Sequence, residues 1–117
     1  MATRNERIAE IEVLFRAGNE RMMAWTENQE RVALGEPLVF FCECGRRRCP
    51  ARVKLTGAAY EAVRADPALF VIAHGHEFPD AEDVVEEHDG YVVVRKHEDV
   101  RAIVERMDLR RSDDDDP

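Results

Sequence analysis

Cysteine is missing from this chain everywhere except positions 42 to 49, where three fall in one short window. An odd number of cysteines so close together makes a poor disulfide framework. Thiols kept reduced for metal or redox chemistry fit better, and they set the expectation of a cytoplasmic location. No run approaches the ~18 apolar residues that a membrane span needs. The N-terminus has no apolar core followed by a small-residue cleavage site, so no secretory signal is visible. Positive charge is also short. Against 25 acidic residues stand 17 basic ones, for a net charge of −8 and an isoelectric point near 5.0. That balance argues against non-specific binding to nucleic acid or to an anionic membrane. Catalytic signatures are missing too. There is no glycine-rich phosphate loop, no His-Glu-x-x-His helix and no nucleophile elbow. The zinc deaminase pattern fails because the histidine loop follows the cysteines.

What remains is the size of one ordinary domain, 117 residues. Apolar residues make up 44 % and charged residues 36 %, which predicts a folded core under a heavily charged surface. Asp113 to Asp116 form an acidic run with nothing to bury. The expected organisation is a single zinc-binding domain over 1–110 and a disordered acidic tail over 111–117. Removing the four tail aspartates from the net charge of −8 leaves −4, still acidic.

Thr3 and Glu6 are spaced as a capping box and open a helix. Ile8, Ile11, Phe15, Met22 and Trp25 then recur near a 3.6-residue period, with Glu10, Glu12, Arg16 and Glu20 largely opposite. This predicts one amphipathic helix from about Arg4 to about Asn28. Leu38–Glu43 and the alternating Arg52–Leu55 read as two strands of a hairpin, with the cysteines at its tip. Thr56 caps a short helix that Asp66-Pro67 stops. Phe70–Ile72 reads as a buried strand. Asp89-Gly90 marks a tight turn between Val84-Val85 and Tyr91–Val94. Val100, Ile103, Val104 and Met107 form a last amphipathic helix. The order α, ββ, α, βββ, α predicts an α+β fold: a mainly antiparallel sheet with packed helices and a zinc-knuckle hairpin.

The chemistry is concentrated in Cys42-Glu43-Cys44-Gly45-Arg46-Arg47-Arg48-Cys49-Pro50. A tetrahedral zinc ion takes four sulfur or imidazole donors, and three thiolates from one turn supply three of them. Gly45 is expected to fold the turn back through a positive φ. The fourth ligand falls to a histidine of the loop that follows the buried strand, His76 or His74. His88 and His97 sit at a turn and a helix start and read as surface residues. Three plain readings compete with a zinc site. The cysteines can be small core residues, arginine-activated redox thiols, or ligands of an iron–sulfur cluster, which usually uses longer spacings. Arg46, Arg47 and Arg48 read as charge balance and hydrogen-bond donors for a thiolate-rich site, or as an anion-binding patch extended by Arg52 and Lys54. No aromatic residue interleaves with them, so base stacking is not indicated.

Together, Phe41-Cys42-Glu43-Cys44-Gly45, Cys49, Leu55-Thr56, Tyr60–Arg64, Phe70-Val71, Gly75-His76-Glu77 and Val84–Glu86 resemble a group of short uncharacterised actinobacterial proteins. The resemblance spans about positions 5 to 96. It implies a metal site of Cys42, Cys44, Cys49 and His76, and no activity. The group commonly carries proline at the position of His74 and glutamate at that of Ala59. Three functions follow as expectations. The first is a non-enzymatic, zinc-stabilised module (Zn2+ as cofactor) that binds or regulates another protein. The second is a thiol redox sensor or zinc enzyme, with Glu43 or Glu77 as base. The weakest is nucleic-acid binding through Arg46–Lys54.

Overall fold

A computed structural model describes residues 3–108. The tail expected over 111–117 lies outside the described residues. In chain order the elements are α1 (Arg4–Met23), α2 (Thr26–Ala33), β1 (Pro37–Phe41), β2 (Arg52–Thr56), α3 (Gly57–Arg64), β3 (Leu69–Ile72), β4 (Glu82–His88), β5 (Tyr91–Lys96) and α4 (Glu98–Arg106). The fold class is α+β with antiparallel strands. The strands divide into two sheets, a β1–β2 hairpin and a three-stranded sheet in the order β3-β5-β4. No helix among the described residues is long and apolar enough to cross a membrane.

Strand alternation explains how two cores arise from one central sheet. Leu69 and Val71 of β3, with Tyr91 and Val93 of β5, pack on Leu38, Phe40, Val53 and Leu55 of the hairpin and on Tyr60 and Val63 of α3. Phe70, Ile72, Val92 and Val94 point the other way, onto Ala9 and Val13 of α1, Val104 of α4, and Cys42 and Cys44. β3 is therefore buried along its whole length, as its continuous apolar run predicts. The β4–β5 turn falls at Asp89-Gly90, where Gly90 takes a φ of +91°. A register shift between Val84 and Glu86 twists β4, the outer strand.

The first helix departs from expectation in two ways. It ends at Met23, and Trp25 begins α2 in extended geometry. The side chains of Asn28 and Gln29 donate to the carbonyls of Met22 and Met23, satisfying the end of α1. Its inner face is also rotated. Ile8, Ala9, Glu12, Val13, Arg16, Asn19 and Met23 are buried, while Trp25 is 54 % exposed. Glu12 and Arg16, expected on the wet side, lie inside. Arg16 donates to the carbonyls of Pro67 and Val104 and stacks over Phe70. Hydrophobic periodicity alone missed this, because the polar side chains of the inner face have partners that lie far away in sequence.

Glu12 meets a second carboxylate and one cation. Lys96 Nζ lies 2.8 Å from Glu12 Oε1 and 2.9 Å from Glu82 Oε1, with all three side chains fully buried. Two carboxylates facing one ammonium leave an excess negative charge with no water to screen it. Burial first, and then the charge of Glu82, push the Glu12 carboxyl well above its ordinary value. A carboxyl that binds its proton more tightly folded than unfolded contributes stability that is present below its unfolded pKa. That contribution is lost as the pH rises toward the raised folded value. Glu12→Gln keeps the shape of the protonated group and should flatten the loss of stability as the pH rises above the ordinary carboxylate range. Urea unfolding at rising pH measures it, and an unchanged slope would refute it.

Candidate metal centre

The β1–β2 register ends at Phe41 opposite Arg52, and one further bond from Cys42 N–H to the Ala51 carbonyl, at 3.2 Å, carries the pairing into the loop. The chain then leaves its partner strand and joins β3. Glu43 N–H donates to the Val71 carbonyl at 2.8 Å, and Val71 N–H donates back to Glu43 Oε1 at 3.1 Å. Two residues further on, just past the end of β3, Ala73 N–H donates to Cys42 Sγ at 3.2 Å. The loop after β3 turns at Gly75, whose φ of +81° suits glycine. His76 follows, with its N–H donating to the Ala73 carbonyl.

That turn presents His76 to the cysteines. Its Nδ1 lies 3.6 Å from Cys42 Sγ and 3.4 Å from Cys49 Sγ. The donor atoms of Cys42, Cys44, Cys49 and His76 all fall within 4.8 Å of one another, so this group could hold a metal ion. Cys42 and Cys44 are buried, while Cys49 and His76 are half-buried. His74 is exposed and directed elsewhere, its Nε2 lying 2.8 Å from the His88 carbonyl. His88 stacks on Tyr91 and pairs with Glu86, and His97 starts α4 beside Asp83. Glu77 is not part of the four-residue group.

The thiols are not equivalent. The hydrogen bond between the two sulfurs pulls Cys44 down and pushes Cys42 up, and burial raises Cys42 further. The Arg46 backbone N–H also favours the Cys44 thiolate. Of the two, Cys44 is the one whose surroundings favour the thiolate, the form in which cysteine binds a metal.

The arginines act differently from expectation. Backbone N–H groups, those of Ala73 and Arg46, serve the sulfurs. The Arg46 guanidinium instead donates to the His76 carbonyl at 2.6 Å and lies 4.4 Å over the Phe78 ring. It fastens the histidine loop to the cysteine loop. Gly45 is likewise needed for a different reason, since its φ is not positive. A Cβ there would fall 2.2 Å from Ile8 Cγ2 and 3.1 Å from the Ile8 carbonyl oxygen. The glycine lets the cysteine loop lie directly on α1.

Glu43, between two of the cysteines, is fully buried. Its Oε2 accepts from Asn19 Nδ2 at 2.8 Å and from the Tyr60 hydroxyl at 2.5 Å. Asn19 also bonds both backbone groups of Phe41, its Oδ1 accepting from the N–H and its Nδ2 donating to the carbonyl. Burial raises the Glu43 carboxyl against these donors, and it raises the Tyr60 hydroxyl too. A carboxyl held on both oxygens by α1, α3 and β3 is not available as a general base, which corrects that candidacy. Sequence alone gives Asn19 no role, and it names Tyr60 only within the resemblance. The available signal was an asparagine, a poor helix former, in the interior of a helix.

Three substitutions test this construction. Gly45→Ala should lower stability by about 1–3 kcal/mol through overpacking on Ile8. Gly18→Ala, whose Cβ would meet only the Phe41 ring at 3.7 Å, should raise stability by up to ~1 kcal/mol. Tyr60→Phe removes one donor from a buried carboxyl and should cost about 1–3 kcal/mol. Denaturant midpoints measure all three, and equal stability of the two alanine variants would contradict the close approach. Comparison of the chain with protein-family models, with curated proteins and with solved structures finds no match, so the functional reading rests on the chemistry of these side chains.

Proposed function

We propose that Cys42, Cys44, Cys49 and His76 bind one zinc ion in a closed structural site, and that the protein is a zinc-stabilised module acting through another protein. The observation that carries this reading is the donor geometry. A zinc ion with sulfur at ~2.3 Å and nitrogen at ~2.05 Å sets S···N edges of about 3.6 Å in its tetrahedron. The 3.4 and 3.6 Å separations from His76 Nδ1 match that size. Three sulfurs and one nitrogen are the donor set that zinc favours over calcium or magnesium.

Four protein donors fill the tetrahedron and leave no position for a reacting water, and the nearest buried carboxyl, Glu43, is fully engaged. Both facts favour a structural role over catalysis. Zinc here would tie the hairpin loop to the β3–β4 loop, two segments about 30 residues apart, and so contribute to folding directly.

Elemental mass spectrometry on purified protein should count one zinc per chain. A strong chelator should lower the thermal midpoint by roughly 10 °C or more. Cys49→Ser and His76→Ala should lose zinc and shift the midpoint similarly, while His74→Ala should keep both. A melting curve unmoved by the chelator, or zinc retained by His76→Ala, would overturn the site.

A further inference from the structure

The outer face of α1 carries a pattern that neither the core nor the cysteine site uses. Arg7, Ile11, Leu14 and Arg21 follow one another at spacings of four, three and seven residues, so they share one side of the helix over about 21 Å. Leu14 is 69 % exposed at the centre of that side. Beside it the cysteine loop closes a groove of about 430 Å³, lined by Glu10, Ile11, Leu14, Phe15 and Arg47. This is within the size range of sites that take a bulky side chain.

Charge singles out the same place. The chain carries −8 overall, yet residues 44–60 hold Arg46, Arg47, Arg48, Arg52 and Lys54 and no acidic residue. Arg46 is occupied by the His76 carbonyl. Arg52 folds back onto the Phe41 ring and the carbonyls of Pro50 and Ala51. Arg47 and Arg48 stay exposed at the tip, with Arg47 on the groove wall. With Arg7 and Arg21 along the helix, the basic groups frame an apolar centre. Glu10 is the single acidic residue of the groove lining, and it leaves the Arg47 side as the place for a negative charge.

We propose that this face docks an acidic amphipathic segment of another protein, which places a bulky aliphatic or aromatic side chain in the groove and its carboxylates against Arg47 and Arg21. The proposal rests on the interaction-module reading above and names the chemistry of its partner. A nucleic acid fits less well, because the carboxylate of Glu10 lies in the groove lining and the chain carries −8 overall, both of which repel phosphates.

The test is a selection from a random 12-residue peptide library displayed on phage, with the zinc-loaded full chain as bait and zinc content verified. Enriched peptides should be net acidic and contain a large apolar residue. Synthesised and labelled, they should bind with an affinity that Leu14→Ser and Arg47→Glu each weaken at least tenfold and that falls as salt rises. Leu34→Ser, at an equally exposed leucine remote in sequence, should leave binding unchanged. Enriched peptides without acidic bias, or with affinities indifferent to Leu14 and Arg47, would overturn this surface while leaving the interaction reading in place. An empty selection, or equal binding of a single-stranded oligonucleotide at the same residues, would overturn the surface too. Zinc retained in the same sample keeps the metal reading separate from that failure.

Discussion

Between the first two cysteines of the loop sits a carboxyl group shut off from water, and the placing of the candidate ligands follows from how it is satisfied. Glu43 meets Asn19 of α1, Tyr60 of α3 and the Val71 backbone of β3. A buried carboxyl without such partners would cost several kcal/mol. Residues 42, 43 and 44 alternate in direction. Once Glu43 turns toward Tyr60 and the core shared by the hairpin and α3, Cys42 and Cys44 turn toward the opposite core. The same pair of hydrogen bonds with Val71, one from the Glu43 backbone and one to its carboxylate, brings Ala73 beneath Cys42 and sets the start of the loop that presents His76. One carboxyl therefore orients two sulfurs and, through β3, positions the imidazole.

The inner face of α1 extends this logic. It is not a plain apolar stripe, because Glu12, Arg16 and Asn19 are all buried on it. Each reaches a different part of the fold: Lys96 at the end of β5, the carbonyls of Pro67 and Val104, and the Phe41–Glu43 segment. Apolar contacts alone tolerate small slips of a helix along its groove. A buried charged or amide group displaced from its partner loses the full desolvation cost of both. The helix is thus held in register against three elements, and the cysteine loop is pressed onto it at Gly45.

The sequence was most legible where a local rule governs. The Thr3–Glu6 capping box, the Thr56 cap, the Asp89-Gly90 turn and the continuous apolar run of β3 depend on neighbours in the chain, and each forms as read. The cysteine cluster was legible because Cys-x-Cys around a glycine, with no cysteine elsewhere, has few other uses. The break at Ala24–Trp25 was hidden because the side chains that cap it, Asn28 and Gln29, follow the break and read equally well as helix. The burial of Glu12 and Arg16 was hidden because their partners are 51 to 88 residues away. The division into two sheets was hidden because local pairing signals do not say which edge a hairpin joins.

Who neutralises the sulfurs connects the candidate site to the surface around it. Three thiolates and one neutral imidazole around a dication sum to −1, and adjacent guanidinium groups would be the obvious balance. The fold instead aims backbone N–H groups at the cysteines, from Ala73 to Cys42 and from Arg46 to Cys44. It uses the Arg46 side chain to clamp the His76 carbonyl and Arg52 to cover Phe41. Backbone donors are fixed by the fold and bring no net charge. Two consequences follow from the same geometry. The sulfurs are hydrogen-bonded by groups that cannot swing away. Arg47 and Arg48 remain at the loop tip, with no sulfur to serve, on a chain that is otherwise strongly acidic. A loop whose arginines served the sulfurs would have none to spare at its tip, whereas here Arg47 and Arg48 stay exposed.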